Sequence, residues 1–231
     1  MVEFSHACSI GNYCFSSALL NVLNIRDRAF PFDWLFTTPK ATTEILKNDF
    51  QDFLNPKYYT DIHDFVPAHE GRQAGHYLYD KNFFNHKNPR EKIDYDYYIR
   101  CVNRFREFIK IKDKKLFICS YKNLENMMDD VLMSDIFELN KILSEITQNH
   151  HLLCHINYPS NKELKHEITE IGNITFFELY TKENNHGLGY GNDEDNEYFF
   201  KIFNSLFKHK KWYQKWYIKR GLLVRLVYPK K

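Results

Sequence analysis

Short apolar runs alternate with helical patterns through the second half of the chain, and this order constrains the fold more than any other feature. The runs at 116–119, 152–156 and 174–179 have the length of strands, while apolar residues over 133–149 and 195–208 recur with helical spacing. Strands that are connected by helices take right-handed crossovers and form parallel sheets buried on both faces. The order therefore predicts an α/β fold, a three-layer sandwich with a mainly parallel sheet.

The remaining segments fit the same fold with less regular patterns. A short strand is predicted to open the chain, and helices are predicted over 12–23, 42–49 and 91–112. Residues 161–171 carry many polar side chains and are predicted to form a polar connection or a helix. The length of 231 residues suits one α/β domain over 1–231.

Two segments depart from the alternation. Residues 53–90 lose periodicity and are rich in Tyr, His, Asp and Asn, which predicts a long irregular loop or lid of the kind that carries function. Residues 208–231 contain nine Lys or Arg and no Asp or Glu, interleaved with aromatic rings. Such a basic aromatic C-terminal segment can bind nucleic acid or an anionic membrane. The strand pattern at 221–227 instead favours packed rings and solvated lysines, so nucleic acid is disfavoured as a partner.

The cysteines and the overall charge limit the class of protein. Five cysteines at scattered positions form no paired framework, which favours a reducing compartment. The first residues lack the basic region and apolar core of a signal peptide, and no apolar run reaches about 18 residues, so we expect a cytoplasmic protein without a transmembrane segment. A net charge of +2 argues against nucleic-acid binding over the whole surface. Four cysteines are interpreted as packing residues: Cys8, Cys101, Cys119 and Cys154.

A cysteine lies at the turn between the opening strand and the first helix. The sequence Ser-Ile-Gly-Asn-Tyr-Cys occupies 9–14, so Cys14 lies where the N–H groups of the first helical turn have no intrahelical partner. The partial positive charge of that helix end should lower the pKa of the Cys14 thiol and favour the thiolate. Ligand sites of parallel sheets lie at the carboxyl ends of strands, which includes this turn. Ser9 is a rival nucleophile, and a packing role for Cys14 is the alternative to both.

Four pieces of sequence follow one another in an order that resembles a known family. They are Ser-Ile-Gly-Asn-Tyr-Cys at 9–14, Phe-Pro-Phe-Asp-Trp at 30–34, Phe-Phe-Asn-His at 83–86 and Tyr-Ile-Arg-Cys-Val-Asn-Arg-Phe at 98–105. In these pieces the chain resembles the family described as putative papain-like cysteine peptidases. The resemblance covers roughly the first half of the chain, and the part after Leu116 is similar only in its α/β alternation.

The resemblance implies a catalytic set, and residues near it or on one helical face are candidates for substrate binding. Cys14 would be the nucleophile and His86 its base, while Asp33 would either orient the histidine or hold its own turn. A carboxylate bound to one imidazole nitrogen keeps the other nitrogen basic. The candidate substrate-binding residues are Gly11, Asn12, Trp34, Arg100 and Arg104. Architectural roles for Asp33 and Trp34, and salt bridges for the two arginines, are the alternatives.

Two functions from different classes remain open. The first is a thiol-dependent hydrolase or acyl-transfer enzyme that acts on a peptide or another acyl compound and needs no cofactor. The second is a protein that binds a carbohydrate- or nucleotide-type ligand, such as a glycan, with Cys14 as a structural residue. A Cys14 sulfur more than about 6 Å from every histidine nitrogen would favour the second. No metal site is predicted, because the four histidines of residues 61–86 lack the close spacing of metal ligands.

Overall fold

The structure is a computed structural model that describes residues 1–61, 73–122, 124 and 128–210. The elements in chain order are β1 (Val2–Phe4), β2 (His6–Ser9), α1 (Cys14–Val22), α2 (Pro39–Lys47), a 3-10 turn (Pro56–Tyr58), β3 (Tyr59–Thr60), β4 (Ala74–His76), β5 (Asp80–Phe84), α3 (Lys92–Ile109), β6 (Lys115–Tyr121), α4 (Asp130–Ile146), β7 (His150–Tyr158), β8 (Lys165–Ile171), β9 (Ile174–Tyr180), α5 (Asp193–Leu206) and β10 (Phe207–His209). Two parts of the sequence-based predictions lie outside the described residues: the basic segment beyond 210 with its strand at 221–227, and the histidines His63 and His69.

The main sheet has five strands in the order β2-β6-β7-β9-β8. The pairs β2–β6, β6–β7 and β7–β9 are parallel, and β8 pairs antiparallel with β9. Helix α4 forms the crossover from β6 to β7, whereas β8 itself forms the return from β7 to β9. The prediction of an α/β fold with a mainly parallel sheet is confirmed. β1 and β10 form a separate parallel pair.

Residues 161–171 were predicted to form a polar connection or a helix. This prediction is wrong, because most of them form strand β8. Gly172, with a φ of +61°, and Asn173 form a two-residue turn into β9, a pair of residues that favours a hairpin. Lys165 and Glu167 are exposed on this edge strand, where charged side chains discourage pairing with another chain. The many polar residues therefore reflect an exposed sheet edge.

Helices cover both faces of the main sheet and form two cores. On one face, Phe15 of α1 and Phe199 of α5 share a core with Leu153 of β7. On the other face, α2, α3 and α4 pack around a second core that includes Leu152. Adjacent residues of a strand point to opposite faces, and burial of each such side chain stabilises the fold by about 1.5–3 kcal/mol. The predicted three-layer sandwich is confirmed.

Residues 53–90 are more regular than the predicted loop. Their described part contains the 3-10 turn and the antiparallel sheet β3-β4-β5. These strands have only two to five residues, too few for periodicity to identify them. Phe83 and Phe84 at the end of β5 are both buried, and His76 stacks on Tyr79 with ring centroids 4.2 Å apart. The small sheet thus anchors the chain just before the next two residues, which belong to the candidate site.

Gly11 has a backbone conformation and surroundings that strongly disfavour a side chain. Its φ is +89°, and a Cβ added there would lie 2.2 Å from Cγ2 of Thr37. We expect Gly11→Ala to lower the free energy of unfolding by roughly 2–5 kcal/mol, because the left-handed backbone costs about 1–2 kcal/mol and overpacking about 1–3 kcal/mol. Urea unfolding followed by circular dichroism measures this loss.

Gly172→Ala is the matched control for that variant. Gly172 also has a positive φ, of +61°, but a Cβ added there would meet no atom within 4 Å. We expect the free energy of unfolding of this variant to fall only by the cost of the left-handed backbone, about 1–2 kcal/mol. Equal losses for the two variants would show that the contact with Thr37 is unimportant.

Candidate active site

Cys14 and His86 meet at the edge of the sheet where the parallel strands end. Gly11 and Asn12 turn the chain after β2 with φ of +89° and +71°, and Cys14 is the first residue of α1. His86 follows the end of β5. The Cys14 Sγ lies 3.4 Å from His86 Nε2. A separation of more than about 6 Å between the Cys14 sulfur and every histidine nitrogen would favour a binding protein with a structural cysteine. This separation is not observed.

Burial opposes the ionisation of Cys14. The residue is only 6% exposed, and burial raises the pKa of its thiol to about 11. The hydrogen bond from Asn85 and the positive charge of Lys122 lower this pKa by smaller amounts. The sequence-based prediction of a depressed pKa is wrong, because the loss of water around the sulfur outweighs the effect of the helix end. The sulfur is thus a neutral thiol at pH 7 and needs a base to become a strong nucleophile.

Asn85 lies beside both members of the pair, although sequence reasoning gave it no role. Its Nδ2 is 3.2 Å from His86 Nε2 and 4.0 Å from Cys14 Sγ. The amide of Gln73 donates a 2.9 Å hydrogen bond to Asn85 Oδ1, which directs the Asn85 N–H groups towards the sulfur and the imidazole. The signal in the sequence is its place directly before His86 in the Phe-Phe-Asn-His piece.

Trp34 contacts one side of the His86 ring. The two rings meet edge to face with centroids 5.6 Å apart. Trp34 has a left-handed φ of +64°, and its backbone N–H donates to Ser17 Oγ, so helix α1 helps to fix the turn that carries the indole. Trp34 therefore positions the imidazole, and its role in substrate binding stays a prediction.

Asp33 holds the same turn through buried hydrogen bonds. Its carboxylate accepts from Arg26 Nη2 at 2.6 Å, from the Phe30 backbone N–H at 2.9 Å and from the Ser17 hydroxyl at 3.2 Å. Burial raises the pKa of the Asp33 carboxyl, and Arg26 together with the two hydrogen bonds offsets part of that rise. Of the two roles predicted for Asp33, these contacts match the one of holding the turn.

Asp33→Ala should lower the free energy of unfolding by about 3–5 kcal/mol, because it leaves the Arg26 guanidinium without its counter-charge. The side chains of Asp33 and Arg26 are 1% and 23% exposed. Asp96→Ala, which removes an exposed pair with Lys92, is the control and should cost less than about 1 kcal/mol. Urea unfolding measures both losses. A variant that keeps its stability but loses thiol reactivity would instead support the role of orienting the histidine.

The residues of the turn before Cys14 are bonded to one another. The Gly11 N–H donates to Ser9 Oγ at 3.4 Å, and the Gly11 carbonyl accepts from the Ser16 hydroxyl at 3.4 Å. Ser9 is fully buried, with its Oγ 2.8 Å from Ser16 Oγ. The contacts of Ser9 are thus those of a turn residue, while Gly11 and Asn12 shape the backbone that presents the thiol.

Arg100 and Arg104 lie on α3 and contact neither Cys14 nor His86 within the described residues. Arg100 is exposed. Arg104 donates from Nε to the Ala29 carbonyl at 3.0 Å. Its Nη2 lies 2.9 Å from the sulfur of Cys101, one turn earlier on the helix. Arg104 forms no salt bridge within the described part of the chain, and a role of the two arginines in binding stays a prediction.

Lys122 and Tyr13 border Cys14 on another side. Lys122 directly follows β6, and its Nζ lies 3.6 Å from the centre of the Tyr13 ring, a cation–π contact. Tyr13 stacks on Phe36 with centroids 5.0 Å apart. Sequence reasoning assigned neither residue a role, although the end of a parallel strand is where ligand contacts are expected.

No group of three or more His, Cys, Asp or Glu side chains that could hold a metal ion occurs within residues 1–61, 73–122 and 128–210. No helix in that same part of the chain is long and apolar enough to cross a membrane. The remaining cysteines are buried and free: Cys8, Cys101, Cys119 and Cys154.

A family model described as putative papain-like cysteine peptidase (DUF1796) matches residues 5–156 of the chain. The matched part includes the turn before Cys14, the small sheet that leads to His86 and most of β7. No curated protein and no solved structure matches the chain.

Proposed function

The chain belongs to the family of putative papain-like cysteine peptidases, and from this we propose that it is a thiol-dependent hydrolase or acyl-transfer enzyme. Cys14 is the nucleophile, His86 is the base, and the substrate is a peptide or another acyl compound. The observation that carries the proposal is the 3.4 Å separation of Cys14 Sγ and His86 Nε2. Heavy atoms this close need little movement for proton transfer from sulfur to nitrogen.

The raised pKa of Cys14 determines how the reaction begins. With a pKa of about 11, the sulfur keeps its proton at neutral pH, so proton transfer accompanies the attack. Sγ forms a bond to the carbonyl carbon, the thiol proton moves to His86 Nε2, and the carbonyl π electrons move to the oxygen. General-base catalysis of this kind contributes about 10²–10⁴ in rate.

Asn85 supplies a hydrogen-bond donor for the negative charge on that oxygen. Its Nδ2 lies 3.2 Å from His86 Nε2, but a protonated Nε2 accepts no hydrogen bond, so the Asn85 N–H is released for the oxyanion. The backbone N–H of Cys14, at the first position of α1, is the second donor.

The proton on His86 then completes the transfer. It moves to the leaving nitrogen or oxygen as the bond from that atom to the carbonyl carbon breaks, and a thioester on Cys14 remains. Water attacks the thioester carbonyl and gives its proton to His86, which returns it to the departing sulfur. An acceptor amine or alcohol in place of water would give acyl transfer by the same steps.

A cytoplasmic location is part of the proposal, and it rests on the scattered cysteines of the sequence. Cys119 and Cys154 lie opposite each other on β6 and β7 with their sulfurs 3.2 Å apart, and both are free. The contact between these two buried thiols fits the packing role predicted for both residues.

Reaction with p-nitrophenyl acetate tests the proposed function. We expect a burst of p-nitrophenol and an acetyl group on the peptide that contains Cys14, detected by mass spectrometry. Cys14→Ser should remove both signals. Cys101→Ser, which changes a buried thiol outside the pair, should keep them. Acetylation that is absent from Cys14, or equally fast on all five cysteines, would overturn the proposal.

A further inference from the structure

Lys122 is a partly buried cation beside the nucleophile. It directly follows β6, which pairs in parallel with β2, the strand that leads to Cys14. The Ile10 N–H donates to the Ile118 carbonyl at 3.0 Å, which keeps the ends of these two strands together. Lys122 and Cys14 are close enough for the charge of each to affect the other.

Tyr13 holds the ammonium of Lys122 in place. The Nζ lies 3.6 Å from the centre of the Tyr13 ring. Phe36 stacks on this ring with the two planes 12° apart, and a Cβ added to Gly187 would lie only 2.4 Å from Tyr13 Cε1. A ring enclosed in this way restricts the lysine, which reduces the entropy cost of binding a charged group there.

Lys122 has no carboxylate in ion-pair distance within the part of the chain that the structure describes. Other partly exposed lysines do have one, since Lys87 pairs with Asp94 and Lys182 with Glu194. Burial lowers the pKa of the Lys122 ammonium, and the Cys14 sulfur opposes that change. A cation that has lost part of its water, and that has no counter-ion among the described residues, favours a further anion such as one on a ligand.

We propose that Lys122 binds a carboxylate of the substrate beside the carbonyl that Cys14 attacks. This inference rests on the proposed function, because it needs Cys14 to be the attacking atom. It narrows the substrate class to acyl compounds with an acidic group next to the reacting bond, such as a peptide with an Asp or Glu residue there. An ammonium–carboxylate pair partly shielded from water favours such a compound over the corresponding amide.

Iodoacetate and iodoacetamide are matched probes of this inference, because they differ only in a carboxylate against an amide. The rate with iodoacetate at Cys14 is divided by the rate with iodoacetamide, and this ratio is then divided by the same ratio for a small free thiol. The result measures the attraction of the site for the anion. A change in the pKa of Cys14 affects both rates equally and cancels. We expect Lys122→Met to lower the ratio about fivefold to tenfold and Lys122→Arg to keep most of it. Mass spectrometry of the Cys14 peptide after short exposure gives both rates.

Salt provides a second readout that needs no variant. We expect the ratio for the unmodified protein to fall as sodium chloride is raised, because the pair is partly exposed to solvent. If the ratio is equal for the unmodified protein and Lys122→Met, or if salt does not change it, this inference is overturned. The proposed function is unaffected by either result. If neither reagent alkylates Cys14, the proposed function fails and this inference fails with it.

Discussion

Lowering the pH from 7 to 5 is expected to lower the free energy of unfolding by roughly 8 kcal/mol, because unfolding at pH 5 takes up about four protons. The cause is a set of four buried histidines: His76, His150, His151 and His155. Burial lowers the pKa to about 4 for the first three and to about 3 for the last. All four are therefore neutral in the folded protein at pH 5.

Hydroxyl groups are the partners of two of these imidazoles. The ring nitrogens of His155 lie 2.8 Å from Ser120 Oγ and 2.8 Å from Tyr190 Oη. His151 Nε2 lies 2.8 Å from Thr175 Oγ1. Such partners satisfy a neutral ring but bring no counter-charge for an imidazolium, so protonation of the folded state is strongly disfavoured.

The sign of the effect follows from the unfolded chain. An exposed histidine has a pKa of about 6.5, so from there down to about 4 the unfolded state binds protons that the folded state does not. The stability from these rings is complete above pH 6.5 and is lost as the pH falls towards the folded pKa values. Each histidine lowers the free energy of unfolding by about 1.4 kcal/mol per pH unit, so four of them lower it by roughly 8 kcal/mol at pH 5. The total free energy of unfolding of a protein is typically about 5–15 kcal/mol. Asp33, whose pKa is raised by burial, acts in the opposite sense but is a single group.

Urea unfolding at a series of pH values measures this loss, since the slope of the free energy of unfolding against pH gives the difference in bound protons. His155→Gln keeps hydrogen-bonding groups but cannot titrate. We expect it to reduce the slope below pH 6 by about 1.4 kcal/mol per pH unit. A free energy of unfolding that stays flat between pH 7 and 5 would contradict this account of the buried histidines.

His86→Ala is expected to slow the acylation of Cys14 by about 10²–10⁴ at pH 7, because it removes the base. With its pKa of about 11, the thiol is ionised in only roughly one molecule in 10⁴ at that pH. Without the imidazole, acylation depends on that small fraction. The logarithm of the rate should therefore rise by about one per pH unit up to about pH 11 in the variant.

Burst rates with p-nitrophenyl acetate at several pH values measure this change. Imidazole added to the buffer should restore part of the rate of His86→Ala, since it replaces the missing base. Asn85→Ala is the companion variant and should lower the rate by about 10²–10³, because it removes a hydrogen-bond donor to the oxyanion. An unchanged rate for His86→Ala at pH 7 would remove His86 from the mechanism.

The fold could be predicted from the sequence where the pattern of apolar residues extends over several neighbouring elements. The runs at 116–119, 152–156 and 174–179 are parts of β6, β7 and β9, because apolar strands between helices have few other ways to be buried. β8 and the small sheet β3-β4-β5 were not predictable in this way. Their strands are short or exposed at an edge, and pairing with distant segments decides their conformation.

The candidate site was only partly accessible to sequence reasoning. The turn between the first strand and the first helix pointed to Cys14, and resemblance to a family added His86. The two residues are 72 positions apart in the chain, and no pattern of local elements would have joined them. The raised pKa of Cys14 was missed because burial depends on tertiary packing around the turn. Asn85 and Lys122 were missed for the same reason, since their contacts come from separate strands that converge at one edge.

A peptide aldehyde labelled with ¹³C at its carbonyl tests whether Cys14 is the nucleophile, because it allows the bond between sulfur and carbon to form without a leaving group. With the unmodified protein, we expect a carbon-13 resonance of a tetrahedral hemithioacetal. That resonance should be absent with Cys14→Ala. A spectrum of the unmodified protein that contains only the free aldehyde and its hydrate would contradict the assignment of Cys14 as the nucleophile.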